Sequence, residues 1–166
     1  MKGGKSSSSD PQSAAPRRNG EYLSFSLGGE EYCIEVAKVQ EVRGYEPPTA
    51  VANVPEFIKG VLSVHNVMVP IVDMRIKFKS GDVRYDELTA VIMLIAGGRL
   101  LGMVVDGVAD VIELTAKKTD PAPRSSAPIP AEYLSGQTEI GRRRLKLLDV
   151  EKLMTSKDMA LMQLMR

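Results

Sequence analysis

The sequence predicts a mainly β fold built from two small barrels, and three observations carry that reading. Apolar residues alternate with polar ones in short runs, glycine pairs and other turn residues bound those runs, and about ten such runs fit within roughly 130 residues. Strands so short and numerous do not suit a doubly wound α/β sheet, whereas two small closed sheets accommodate them.

Residues 1–20 are dominated by Ser, Gly, Pro, Ala and basic side chains, with no large apolar residue after Met1. They cannot bury enough surface to offset their ordering entropy, so a disordered tail is expected. Order begins near Glu21. Leu23, Phe25 and Leu27 alternate with Ser24 and Ser26 as a half-buried strand, Gly28-Gly29 turns the chain, and Tyr32, Ile34 and Val36 complete a hairpin. Residues 39–43 form a further strand. Asn53-Val54-Pro55 opens an expected helical turn, with Pro55 near its first position and Gly60 just past its end. Residues 61–64 and 67–72 read as strands, with Pro70 marking an edge or a bulge.

Residues 89–95 and 99–105 flank Gly97-Gly98 in the clearest hairpin of the sequence. Asp106-Gly107 turns into a strand at 108–114. A Pro-rich connection runs from Lys117 to Pro130, and residues 138–140 with 145–148 form a last hairpin. Val150, Leu153, Met154, Leu161, Leu164 and Met165 recur at helical spacing, interrupted at Thr155-Ser156.

Composition narrows the function. Apolar residues make up 43% of the 166 residues, enough for a core without disulfides or metal staples. Cys33 is alone, so no intrachain disulfide can form, which suits a reducing, cytoplasmic setting. No run of about 18 apolar residues exists, so direct membrane insertion is not expected. Lys2 and Lys5 precede a serine run instead of the apolar stretch of a secretory signal. The formal net charge is +1, but the tail carries Lys2, Lys5, Arg17 and Arg18 against Asp10, which leaves the rest mildly acidic. That balance argues against a nucleic-acid partner.

Catalytic constellations are missing. The glycines of 97–102 match neither a P-loop nor a dinucleotide fingerprint and lie between strands. Asp106 and Asp110 read as a turn residue and a solvated strand residue, not as a carboxylate pair. Cys33 and His65 both fall in expected strands, and Glu31 and Glu35 on the strand face of Cys33 should raise its pKa and weaken the thiolate. One Cys and one His cannot build a structural zinc site from soft ligands alone. No enzymatic activity, cofactor or metal is expected. The alternative class is a nucleic-acid-binding small barrel, whose local support is Arg142-Arg143-Arg144 with Lys146 at a hairpin tip. Sparse aromatics weigh against it, because single-strand binders combine a basic groove with stacking platforms.

Seven segments, read in order, resemble the CheW family of bacterial chemotaxis coupling proteins. They are Tyr22-Leu23-Ser24-Phe25-Ser26-Leu27-Gly28, Glu30-Glu31-Tyr32, Val39-Gln40-Glu41-Val42-Arg43-Gly44-Tyr45 and Phe57-Ile58-Lys59-Gly60-Val61. Val69-Pro70-Ile71-Val72-Asp73-Met74-Arg75-Ile76-Lys77-Phe78, Gly102-Met103-Val104-Val105-Asp106-Gly107-Val108 and Asp149-Val150-Glu151-Lys152-Leu153-Met154 complete the set. The resemblance implies two five-stranded SH3-like barrels packed around a shared core, with short helical turns and a C-terminal helix. Residues 1–20 would then be the tail, 21–154 the CheW-like domain and 155–166 a helical extension.

The resemblance further implies a non-catalytic cytoplasmic adaptor at receptor arrays under the inner membrane. It would couple the regulatory domain of a CheA-type histidine kinase to the cytoplasmic tips of methyl-accepting chemoreceptors. Its partner-binding groove, near the junction of the barrels, would involve Val39, Glu41, Gly60 and Val111. Apolar Val39 and Val111 would supply desolvated contact, and Gly60 would permit close backbone approach. Two departures stand out. The family's usual Asn-Leu-Arg-Gly is Ser63-Val64-His65-Asn66 here, which exchanges a permanent cation for a titratable imidazole and makes His65 a further candidate on the binding surface. Arg144 and Lys146 stand where the family is usually apolar, so the last hairpin is expected to be more solvated or to meet a different partner.

Overall fold

The structure, a computed structural model, describes residues 20–114, 119–120 and 129–159. Most of the expected tail, most of the Pro-rich connection and the end of the C-terminal extension lie outside the described residues. Gly20, assigned to the tail from sequence, is instead the first residue of a strand.

The strands are β1 (Gly20–Leu27), β2 (Glu30–Glu35), β3 (Val39–Gly44), β4 (Ile58–Val64), β5 (Val67–Asp73), β6 (Ala90–Ala96), β7 (Arg99–Val105), β8 (Gly107–Leu114), β9 (Thr119–Asp120), β10 (Leu134–Ile140) and β11 (Arg143–Leu148). Two short helices, α1 (Met74–Phe78) and α2 (Val150–Met154), follow β5 and β11. The first sheet runs β8-β1-β2-β11-β10, extended at its edge by the two-residue β9, and the second runs β3-β6-β7-β5-β4. Each contains one parallel pair, β11 with β2 and β5 with β7. The first sheet therefore draws on both ends of the chain, while residues 39–105 supply the second.

Local chemistry explains the hairpins. Gly28-Gly29, His65-Asn66 and Gly97-Gly98 each carry positive φ at both central positions, the backbone that a two-residue loop needs to follow the strand twist. Asn and His are among the side chains that tolerate this left-handed region. His65 is therefore a turn residue and not the strand residue expected from sequence.

Apolar patterning explains the packing. One cluster takes Phe25, Leu27 and Ile34 from the first sheet, Ile92, Leu94 and Met103 from the second, and Leu153 and Met154 from α2. A second cluster (Tyr22, Cys33, Ile112, Leu145, Leu147) belongs to the first sheet alone, and a third (Val69, Ile71, Val91, Met93, Val104) to the second. Strands at the seam thus bury both faces, which is why β6 reads as a continuous apolar run and not as an alternation.

Two local expectations are corrected and one helix is added. Residues 52–57 form turns and a bend that lead directly into β4, with Ile58 N–H donating to the Pro55 carbonyl at 3.0 Å, and no helix is formed there. The helix α1 was not legible from sequence. Asp73 caps it by accepting from the Arg75 N–H at 2.9 Å, and Lys79 ends it at φ 50°. Pro70 lies in an interior strand, but the β5–β7 pairing begins only at Ile71, so Pro70 sits where β5 has a single partner. The expected interruption after α2 is found: Thr155 and Ser156 hydroxyls donate back to the Glu151 and Leu153 carbonyls, both at 2.7 Å.

Candidate functional site

Strand β3 alternates half-buried Val39, Glu41 and Arg43 with exposed Gln40 and Val42. Val39 packs against the shared core with part of its surface open. Glu41, 35% exposed, accepts from Arg43 Nε at 3.0 Å and Nη2 at 2.8 Å, and its other oxygen lies 3.6 Å from His65 Nε2. These contacts join the two ends of the second sheet, because β3 and the β4–β5 turn stand at opposite ends of the strand order. The hydrogen bond from Arg43, helped by charge from Arg43 and His65 against a smaller opposing effect of burial, holds the Glu41 carboxyl below its ordinary pKa.

His65 is 83% exposed, so its imidazole faces solvent beside Glu41. Arg43, which sequence reasoning passed over, shares the face of Glu41, the two standing opposite Val91 and Met93, whereas a register slip between Val39 and Glu41 turns Val39 to the face of Leu94.

Gly60 and Val111 sit elsewhere. Gly60 occupies a register slip in β4 at φ 142°, where an added Cβ would lie 2.0 Å from the Thr49 carbonyl oxygen. The close backbone approach that this glycine permits is to the chain's own segment at Thr49-Ala50, and it is not a helix cap. Val111, 54% exposed, lies on β8 at the edge of the first sheet, opposite Leu23. The structure thus brings Glu41 and His65 into contact, turns Val39 to the opposite face of β3 from Glu41, and leaves Val111 on the other sheet.

A polar network at the sheet junction was not anticipated. Arg75 is 1% exposed and donates to Asp73 through Nε at 2.7 Å, to Asp106 through Nη1 at 2.8 Å and to the Arg84 carbonyl at 3.0 Å. Burial opposes its charge, yet the bonds to Asp73 and Asp106 outweigh that and hold its pKa above the ordinary arginine value. Tyr85 donates its hydroxyl to Asp73 at 2.5 Å and stacks on Tyr45 with centroids 4.3 Å apart.

Three of the four residues behind the alternative class are engaged internally, while Arg142 is exposed. Arg143 pairs with Glu31 at 2.8 Å and Asp110 at 3.1 Å, Arg144 faces Glu139 at 3.6 Å, and Lys146 meets Glu30 at 2.5 Å. Asp110 also exchanges hydrogen bonds with Ser24, so it is an ion-pair partner and not merely a solvated strand residue. Lys146 is buried, with its ammonium 5.8 Å from the Tyr32 ring centre. Its head reaches Glu30 while its stem is buried, against the solvation expected at this position, whereas Arg144 is 69% exposed in keeping with it.

Cys33 is fully buried, and its thiol pKa is pushed up to about 12 by burial, with Arg143 pulling weakly the other way. The cause is desolvation and not the neighbouring carboxylates invoked from sequence. His65 lies on the other sheet, so the two make no nucleophile–base pair. Iodoacetamide at pH 8 is expected to leave Cys33 unmodified in the folded chain and to modify it in denaturant, as mass spectrometry would read. Full labelling without denaturant would contradict this burial.

Comparison with known proteins agrees with this architecture. The pattern that defines the CheW-like domain matches residues 21–158. The chain is 52% identical over 141 residues to the chemotaxis protein CheW of Klebsiella aerogenes, covering 85% of each chain. It is 27% identical over 135 residues to the probable chemotaxis protein CheW of Rhizobium etli, covering 80% of this chain and 86% of that one. The crystal structure of the scaffolding protein TtCheW from Thermoanaerobacter tengcongensis superposes with a TM-score of 0.77 at 22% identity, over 84% of this chain and 95% of that one. With a matched domain spanning nearly all of the described residues and a relative more than half identical, this chain belongs to the CheW-like family.

Proposed function

We propose that this chain is a non-catalytic adaptor of chemotaxis signalling that couples the cytoplasmic tips of chemoreceptors to the regulatory domain of a CheA-type histidine kinase, in arrays under the inner membrane. The observation that carries the reading is the 52% identity to a chemotaxis CheW across 85% of both chains. Val39, Glu41, Gly60, His65 and Val111 are the proposed partner-binding residues. Support for them is uneven. Glu41 and His65 form one accessible polar feature, Val39 is part-open on the other face of the same strand, Val111 offers exposed apolar surface, and Gly60 acts through the backbone it allows.

The direct test is calorimetric titration of the purified chain with a CheA regulatory domain and, separately, with a receptor-tip fragment. Binding to both is expected, and binding to neither would sink the proposal. Glu41→Lys should weaken at least one of these associations by ~1–2 kcal/mol, because it reverses a charge beside the proposed contact and releases Arg43 and His65 from their shared carboxylate. The fold should persist, since the side chain is part-exposed at the end of a sheet. Unchanged affinity for both partners would remove Glu41 from the site.

A further inference from the structure

Among the described residues the chain passes between the two sheets twice. It does so once through the helical turn at Val36–Lys38 and once through Asp106 alone, since β7 ends at Val105 and β8 begins at Gly107. That single crossover residue is gripped from both sides. Its Oδ2 accepts from the Gly28 N–H at 2.7 Å, in the β1–β2 turn of the first sheet. Its Oδ1 accepts from Arg75 Nη1 at 2.8 Å, and Arg75 is anchored to Asp73 at the end of β5 in the second sheet. Its N–H donates to the Ser26 carbonyl at 3.1 Å.

A second observation marks the same seam. Gly28 packs so tightly on Ser80, just past α1, that an added Cβ would lie 2.7 Å from both the Cβ and the carbonyl oxygen of Ser80. The core shared by the two sheets is apolar, and apolar burial is non-directional. Directional contacts add to that packing a requirement for one relative orientation. Three of the directional contacts between the two halves meet at Asp106, and a further one, from the Gly97 N–H to Glu151 Oε2 at 2.9 Å, lies at the other end of the β6–β7 hairpin.

We propose that Asp106 is the pin that fixes the angle between the two sheets, so that Glu41 and His65 on one sheet and Val111 on the other are held in a single relative placement. Its carboxylate is suited to this because each oxygen serves a different sheet. In the adaptor reading of the previous section, on which only this consequence rests, two partners engaged at once need that fixed placement, whereas either partner alone does not.

The test uses the full chain spin-labelled at Gln40→Cys on β3 and Glu113→Cys on β8, both exposed positions, with the distance distribution read by pulsed EPR. Cys33 stays unlabelled because it is fully buried. The otherwise unaltered chain should show one narrow distribution. Asp106→Asn keeps the shape but cannot accept from both Gly28 and Arg75, and should broaden the distribution at least about twofold. Asp110→Asn removes a carboxylate paired only within the first sheet and should leave the distribution unchanged. An unchanged width for Asp106→Asn would overturn the proposal. So would loss of amide-exchange protection inside β1–β2 or β6–β7, since Asp106 would then be needed for folding and not for orientation. In binding, Asp106→Asn should retain each partner singly and lose simultaneous engagement. If the unaltered chain binds neither partner, the adaptor reading fails while the EPR result still decides the pin.

Discussion

Gly60→Ala should destabilise the protein by roughly 3–5 kcal/mol, among the larger effects available to a single methyl group. The added Cβ would stand 2.0 Å from the Thr49 carbonyl oxygen and 2.6 Å from its carbon, both backbone atoms that no rotamer change can move aside. The φ of 142° is itself strained for any residue with a side chain, at ~1–3 kcal/mol. To relieve the overlap the Thr49–Val61 bridge must open, which breaks two backbone hydrogen bonds of 2.9 Å, each worth about 1 kcal/mol net. Thermal unfolding followed by circular dichroism should show a drop of roughly 10 °C, given the usual ~2–4 °C per kcal/mol for chains of this size. The same variant separates two roles for Gly60. A melting temperature within a degree or so of the parent, combined with lost partner binding, would make Gly60 a contact surface and refute the backbone account.

Arg75→Met should cost about 3–5 kcal/mol, the usual penalty for removing one member of a buried ion pair. The substitution preserves much of the stem volume, so packing contributes little to the loss. What remains is the Asp73 carboxylate, fully buried, keeping only the Arg75 N–H and the Tyr85 hydroxyl as donors. The double variant Arg75→Met, Asp73→Asn discriminates between causes, because it removes the stranded charge while retaining an acceptor for the helix cap. It should recover part of the stability lost in the single variant, as measured by denaturant midpoint. A double variant less stable than the single one would show that the guanidinium's packing and its bond to the Arg84 carbonyl dominate instead.

The hairpins and the family were legible in the linear sequence because the chemistry that sets them is local. Gly28-Gly29 and Gly97-Gly98 announce positive φ at adjacent positions, and the alternation of Leu23, Phe25 and Leu27 announces a face. Gly60 shows where local reading stops. A glycine five residues after a proline resembles a helix cap, and only the segment at Thr49, folded against β4, reveals the close approach that excludes a side chain. Lys146 and Arg75 mark a second boundary. Charged residues are assigned to the surface by default, and both are buried here because Glu30 and Asp73 come to meet them.

By itself, then, the order of residues determined the β architecture, its division into two small sheets, the glycine-pair hairpins and the family to which the chain belongs. Tertiary structure alone decided that His65 faces Glu41, that Arg143 is shared between Glu31 and Asp110, and that Asp106 is held by both sheets at once. The difference is one of range. Turn type and strand face depend on the φ and the periodicity of a few neighbouring residues, whereas these ion pairs join positions 24 to 112 residues apart, and only sheet closure brings them together.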